Sequence, residues 1–207
     1  MMNKELIKRI LSSIIILPLA FYFLISGSLM SIFFIIICFI IACYEWHMMT
    51  KKSFHKIFGF IFLVFSFYTF YILSIELYFL IFVILISVST DIGGYVFGKI
   101  FKGPKLTKIS PNKTYSGMIG GYFLSLIFLS IVTNFIDYPK TPIQLIIIVL
   151  LISTISQIGD IVISYFKRLK KIKNTGNLIP GHGGLLDRID GMIFAVPTFY
   201  LVELIGH

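Results

Sequence analysis

Long apolar runs alternate with short basic loops along this chain, and that alternation limits its fold more than any other feature. Crossing the hydrocarbon core of a bilayer takes roughly 20 apolar residues, about 17 to 25 in practice. By that length the sequence predicts about seven helices, near 10–27, 29–46, 57–75, 77–97, 117–136, 143–165 and 191–206. Ser26-Gly27-Ser28 reads as the turn between the first two, and Glu76 as the break between the third and fourth. Pro18 falls inside the first helix, where neighbouring helices can satisfy the carbonyl it frees. Three Lys and Arg residues precede the first helix (Lys4, Lys8, Arg9), and three lie in the second loop (Lys51, Lys52, Lys56). Five lie in the fourth (Lys99, Lys102, Lys105, Lys108, Lys113) and six in the sixth (Lys167, Arg168, Lys170, Lys171, Lys173, Arg188), whereas the fifth loop has only Lys140. The positive-inside rule then predicts a cytoplasmic N-terminus and an odd number of spans. The expected fold is an all-α, polytopic integral membrane helix bundle. It is read as a single transmembrane domain over residues 1–207, with N-terminal helices in 1–86 and the polar motifs in 87–207.

Composition agrees. The chain is 57% hydrophobic and only 13% charged, far from the usual make-up of a soluble domain. A net charge of +9 could suggest nucleic-acid binding, but the basic residues sit between apolar spans. That arrangement points to anionic lipid or an anionic substrate, and no nucleic acid is expected as a partner. Cys38 and Cys43 share one span and read as buried thiols, with no disulfide implied. The first apolar stretch superficially resembles a signal peptide but lacks a small-residue cleavage site, so it is expected to be a retained helix.

Four polar features interrupt the apolar background. Asp91-Ile92-Gly93-Gly94-Tyr95 lies at the cytoplasmic half of the fourth helix. A lone carboxylate there is paired, hydrated or metal-bound, while the glycines permit close backbone approach, by a helix or by a ligand. Lys105 to Gly117, KLTKISPNKTYSG, contains Ser110-Pro111 as turn punctuation. Its Lys113-Thr114 could offer a cation and a hydroxyl to phosphate just before a helix N-terminus, although a loop that merely meets anionic lipid would look the same. Ser156-Gln157-Ile158-Gly159-Asp160 puts Gln157 and Asp160 on one helix face, with Ser156 one turn before Asp160, either as a wet functional site or as a structural hydrogen-bond network.

The fourth feature, Ser164 to Asp190, is the most informative: SYFKRLKKIKNTGNLIPGHGGLLDRID. Pro180, Gly181, Gly183 and Gly184 prevent a regular helix and should leave backbone N–H groups free. Asp187 and Asp190, at i and i+3, share a face if a helix begins there. Hard oxygen ligands beside a phosphate-accepting loop suit Mg²⁺. His182 could be a base, a phosphate donor or a turn residue, and spacing leaves that open. A solvated basic loop would explain the lysines but neither the His-Gly-Gly turn nor the paired aspartates.

This run resembles the C-terminal signature of the phosphatidate cytidylyltransferases (CDP-diacylglycerol synthases), through Ser164, Phe166, Lys167, Arg168, Lys173, Gly176, Pro180, His182, Gly183, Gly184, Asp187, Arg188 and Asp190. Asp91 to Gly98 with Lys105-Leu106, Ser110 to Thr114 and Ser156 to Asp160 also look like the family, so the resemblance covers roughly residues 87–191. It implies that CTP and phosphatidate give CDP-diacylglycerol and pyrophosphate in phospholipid biosynthesis, with residues 87–207 as the catalytic half. It further implies Asp160 and Asp187 on Mg²⁺, with Asp190 and Asp91 as additional or outer ligands and a monovalent cation as a further possibility. Lys167, Arg168, Lys173 and Arg188 would hold phosphates, Ser110, Lys113 and Thr114 would close the site, and Gly183 and Gly184 would bind substrate. The resemblance also suggests a homodimer, multi-pass in the cell inner (plasma) membrane, with the site facing the cytoplasm. Asn174 stands where the signature usually has Asp, and Ser116 where an acidic residue commonly follows Lys-Thr, so neither position is an indispensable metal ligand here. The rival readings are a CTP-dependent polyprenol or lipid kinase, which would transfer the γ-phosphoryl group to an alcohol, and a small ion-coupled transporter relaying ions through Asp91 and Asp160.

Overall fold

The computed structural model describes residue 14 and residues 18–26, 28–134, 140–179, 181 and 183–206. Residues 10–13, 15–17 and 27 of the first expected span, with Pro180 and His182, therefore lie outside the described residues, while residues 18–25 are helical. The remaining elements are α1 (Ser28–Met49), α2 (Ser53–Ile75), α3 (Leu77–Phe101), α4 (Tyr115–Val132), α5 (Pro142–Leu169), α6 (Leu186–Ile189) and α7 (Met192–Gly206). Among the described residues no strand forms, and the only bridges are the isolated pairs Lys105–Thr114 and Ile179–Gly183. The chain is an all-α polytopic membrane protein. Five helices, α1 to α5, are long and apolar enough to cross a bilayer. The expected last span is shorter, since the 15 residues of α7 reach about 22 Å at 1.5 Å per residue.

Local signals set the helix ends. Glu76, at φ −106° and ψ 77°, breaks α2 from α3 as the sequence predicts. At the start of α5, Thr141 and Gln144 form a reciprocal capping box. The Thr141 N–H donates to Gln144 Oε1 at 2.9 Å, the Gln144 N–H donates back to Thr141 Oγ1, and Pro142 occupies the first helical position. Several helices outrun their hydropathy. α5 continues to Leu169 and so carries Lys167 and Arg168, which hydropathy alone assigns to a loop, and α3 carries Lys99. Backbone hydrogen bonding does not stop where apolar side chains stop, and long basic side chains at a helix end reach back to water.

The chain divides into two compact units. One comprises Met1–Phe79 and Phe166–Asp190, the other Leu80–Tyr165 and Gly191–His207. In the first, α1 packs against α2 and α6, burying Ala42, Trp46, Met49, Leu63 and Leu186. The Trp46 indole donates to the His55 carbonyl and meets the Phe166 ring edge-on, with centroids 4.8 Å apart. In the second unit the core is Leu80, Val83 and Ile86 of α3, Val149 and Ile152 of α5, and Ile193, Val196 and Phe199 of α7. Hydroxyl pairs tie its helices where the apolar effect gives no direction, with Thr90 on Ser153 and Tyr122 with Thr154, both at 2.9 Å. Lys140 pairs with Glu203 at 3.3 Å.

The glycines of α3 and α4 face one another. A Cβ on Gly93 would meet the Gly120 carbonyl oxygen, one on Gly117 would lie 2.6 Å from the Gly94 carbonyl oxygen, and one on Gly120 would strike Phe97. Helix-to-helix contact accounts for these glycines, which settles one alternative left open by the sequence. Gly120→Ala should overpack the seam and destabilise the protein by about 1–3 kcal/mol. The check is thermal unfolding in detergent, and an unchanged midpoint would mean the helices separate at little cost.

Candidate active site

The polar motifs form one cluster in each unit. In the first, α5 ends in a Schellman turn that aims the chain back. The Ile172 N–H donates to the Lys167 carbonyl and the Lys171 N–H to that of Arg168, with Lys171 itself left-handed at φ 60°. The chain then reaches Thr175 and the Ile179–Gly183 bridge, in which each residue donates its N–H to the carbonyl of the other, before α6 begins. Gly183 has φ 94°, a value that a Cβ would strain.

Asp187 sits at the centre of this turn. Lys167 Nζ lies 2.8 Å from its Oδ1. Its Oδ2 accepts from the Thr175 N–H at 2.8 Å, the Gly184 N–H at 3.0 Å and the Thr175 hydroxyl at 3.1 Å. Both side chains are nearly inaccessible, at 10% for Lys167 and 6% for Asp187. A Cβ on Gly183 would come 2.6 Å from Asp187 Oδ2 and 3.2 Å from Asn174. The turn was expected to leave backbone N–H groups free, and it does not. Those of Gly183, Gly184, Leu185 and Leu186 are all engaged within the protein, because carboxylates and a carbonyl reach them first. Gly183 and Gly184 are required here for backbone shape and space.

The second carboxylate at this turn is Glu45, which the motif reading passed over. It is 3% exposed, near the end of α1. Its Oε1 accepts from the Leu185 N–H at 2.8 Å, and its Oε2 from the Thr175 hydroxyl at 2.7 Å and the Leu186 N–H at 2.9 Å. A Cβ on Gly184 would collide with both Glu45 oxygens and with Thr175 Oγ1. The sequence did carry a signal, since a lone carboxylate inside an apolar span should face a polar partner. The basic residues that set the topology do not reveal it. Arg168, Lys173 and Arg188 lie exposed on this unit, and Arg168 donates to the Ile172 carbonyl at 3.2 Å. Asp190, the C-cap of α6, keeps the helical conformation that the i, i+3 spacing with Asp187 assumed.

In the second unit Lys113 forms an ion pair with Asp160 of α5, whose other oxygen faces the Ser164 hydroxyl at 3.4 Å. Asp91 of α3 belongs to the same unit as this pair. The loop that delivers Lys113 is fastened by Leu106 N–H to the Lys113 carbonyl at 2.8 Å and by Lys113 N–H to the Ser110 carbonyl at 3.0 Å. Thr114 is the N-cap of α4, as the sequence placed it, and its hydroxyl accepts from the Gly117 N–H at 3.1 Å. Ser116, where the signature commonly has an acidic residue, donates to the Lys102 carbonyl and braces the same loop.

Among the described residues no three His, Cys, Asp or Glu side chains converge on one point. The four aspartates expected as metal ligands divide between the units, Asp91 and Asp160 in one, Asp187 and Asp190 in the other. Mg²⁺ takes one or two carboxylates and completes its shell with water and phosphate oxygens, so Asp160 and Asp91, which share a unit, are of the residue type to hold it. Asp187 already accepts from four donors, so a cation on it would have to replace the Lys167 ammonium.

Five membrane-crossing helices with carboxylate–lysine pairs built into their polar turns define the class as an integral membrane protein that organises charge at its helix ends. Residues 57–205 match the profile of the cytidylyltransferase family, and the chain belongs to that family. It is 39% identical over 127 residues to the phosphatidate cytidylyltransferase of Staphylococcus saprophyticus subsp. saprophyticus and 41% identical over 127 residues to that of Staphylococcus aureus (strain COL). Each of these matches covers 61% of this chain and 49% of the relative. The phosphatidate cytidylyltransferase of Bacillus subtilis (strain 168) is 42% identical over 115 residues, 55% of this chain and 43% of the relative. This chain spans about half the length of the curated relatives it matches.

Removing one partner of a buried ion pair costs more than removing both, because a lone charge stays buried. Lys167→Met should therefore destabilise the protein by about 3–5 kcal/mol. The double variant Lys167→Met with Asp187→Asn should lose less than Lys167→Met alone. Denaturant unfolding of both would decide it, and additive losses would show that the two side chains are not coupled.

Proposed function

We propose that this protein is a phosphatidate cytidylyltransferase, converting CTP and phosphatidate to CDP-diacylglycerol and pyrophosphate. The observation that carries this is the cage of Lys167, Thr175 and Gly184 around Asp187, built from the signature run and lying inside the stretch that matches the family. A phosphate oxygen of the lipid attacks the α-phosphorus of CTP, the bond from that phosphorus to the bridging oxygen breaks, and pyrophosphate leaves with the electron pair. The lipid phosphate is already ionised near neutral pH, so the protein supplies position and positive charge and no nucleophile. Exposed Arg168, Lys173 and Arg188 are suited to hold phosphates. Lys113, with Ser110 and Thr114 on its loop, brings an ammonium to Asp160. Mg²⁺, when bound by Asp160 and Asp91, would neutralise charge on phosphate oxygens.

The substrates suit a membrane protein, since phosphatidate presents its headgroup at the bilayer surface. In this reading that surface is the cytoplasmic side of the plasma membrane, where CTP is available, with the N-terminus on the same side, and the distribution of basic loops supports that orientation. A homodimer is the assembly this reading takes.

Purified protein given Mg²⁺, phosphatidate and CTP labelled separately at the α- and γ-phosphates tests the reaction. Label from the α position should enter lipid as pyrophosphate is released. Label from the γ position in lipid would instead make the protein a CTP-dependent lipid kinase. Asp187→Asn should lower turnover by at least about 100-fold, because a misplaced site of this kind loses its positioning. If that variant keeps most of its activity, Asp187 has no role in the reaction. Asn174→Asp should be tolerated in the same assay, and a large loss would show that the site departs from the signature there.

A further inference from the structure

We propose that Glu45 is a positioning residue for Asp187, acting through Thr175 and the backbone of residues 185 and 186. The inference rests on the cytidylyltransferase reading and adds to it a residue outside the matched stretch 57–205. A carboxylate buried in an apolar helix is expensive unless its oxygens are satisfied. An apolar side chain of similar size would fill the same space at less cost. Packing therefore gives no reason for a glutamate at this position.

Its contacts do. All three donors on Glu45 belong to the turn that holds Asp187: the Thr175 hydroxyl and the N–H groups of Leu185 and Leu186. The Thr175 hydroxyl lies 2.7 Å from Glu45 Oε2 and 3.1 Å from Asp187 Oδ2, so two carboxylates share one hydroxyl. Three of the four donors on Asp187 come from Thr175 and Gly184, and Glu45 grips the first directly and the second through the residues that follow it. The glycines are cut to the same shape. A Cβ on Gly176 would lie 2.9 Å from Glu45 Oε1, and one on Gly184 would overlap both of its oxygens. With Glu45 removed, Asp187 keeps the Lys167 ammonium but loses the frame that orients its second oxygen. Loss of orientation by an ångström lowers a rate by about 100-fold with little change in binding.

The test uses the full chain and the α-label assay, with wild type, Glu45→Gln, Thr175→Val and Glu203→Gln compared. Hydrogen exchange is read over the whole protein alongside. Gln keeps the size of Glu45 but offers one acceptor oxygen where two serve three donors. Glu45→Gln should lower kcat by about 100-fold, hold KM for CTP within about threefold, and speed exchange only in residues 175–190. Thr175→Val should lower kcat by about tenfold with the same local pattern, and it carries the test if Glu45→Gln does not fold. Glu203→Gln, which alters a buried carboxylate paired with Lys140, should leave kcat unchanged. A Glu45→Gln kcat within threefold of wild type overturns the proposal, as does a loss accompanied by faster exchange throughout the chain. If wild type itself transfers no label, the cytidylyltransferase reading falls, and the exchange pattern alone decides whether Glu45 holds the turn around Asp187.

Discussion

The Lys167–Asp187 pair is the contact around which its unit is built. Two opposite charges 2.8 Å apart, both almost out of reach of solvent, cost several kcal/mol each to desolvate and recover that only with good geometry and further hydrogen bonds. The chain supplies those bonds from Thr175 and Gly184. Once they are required, much else follows. Gly183 must be left-handed with no side chain, since a Cβ would press on the aspartate, and Gly184 must leave room for a second carboxylate. The reversal after α5 is needed as well, because Lys167 stands on the helix and its partner on the turn.

In the other unit the same chemistry is met differently. Lys113 comes from a loop rather than a helix, and the loop is held by its own carbonyls, by the Thr114 cap and by Ser116. Its pair with Asp160 is less secluded, at 22% and 30% exposure, so that ammonium has more freedom to exchange its partner for a phosphate or a cation. Asp187 has four donors and little freedom, while Asp160 has an ammonium, a distant hydroxyl and a partly exposed side chain.

The helices were legible in the sequence because hydropathy over twenty residues is a strong signal, and observed ends differ from expected ones mainly where polar residues continue a helix, as at Lys99 and at Lys167-Arg168. Turn punctuation was legible too. Glu76, Thr114 and the Ile179–Gly183 bridge sit at breaks that composition marks. What could not be read was who fills whom. Nothing in the spacing of the glycines says that the N–H groups of Leu185 and Leu186 are taken by Glu45, because that depends on a helix more than a hundred residues away. Glu45 belongs to no local motif, and only its burial and its three donors reveal it. The glycines of α3 were open to two interpretations, and the close approach to α4 chose between them.

That distance along the chain has a further consequence. The bonds from Glu45 span 130, 140 and 141 residues, so they are among the least local contacts a chain of 207 residues can make. Loop closure on that scale comes late, after helices that need only their neighbours. During synthesis Glu45 enters the bilayer with no partner until residues 175–186 have emerged. The order of assembly is thereby written into the turn: its last clasp closes only after residue 186 has been made.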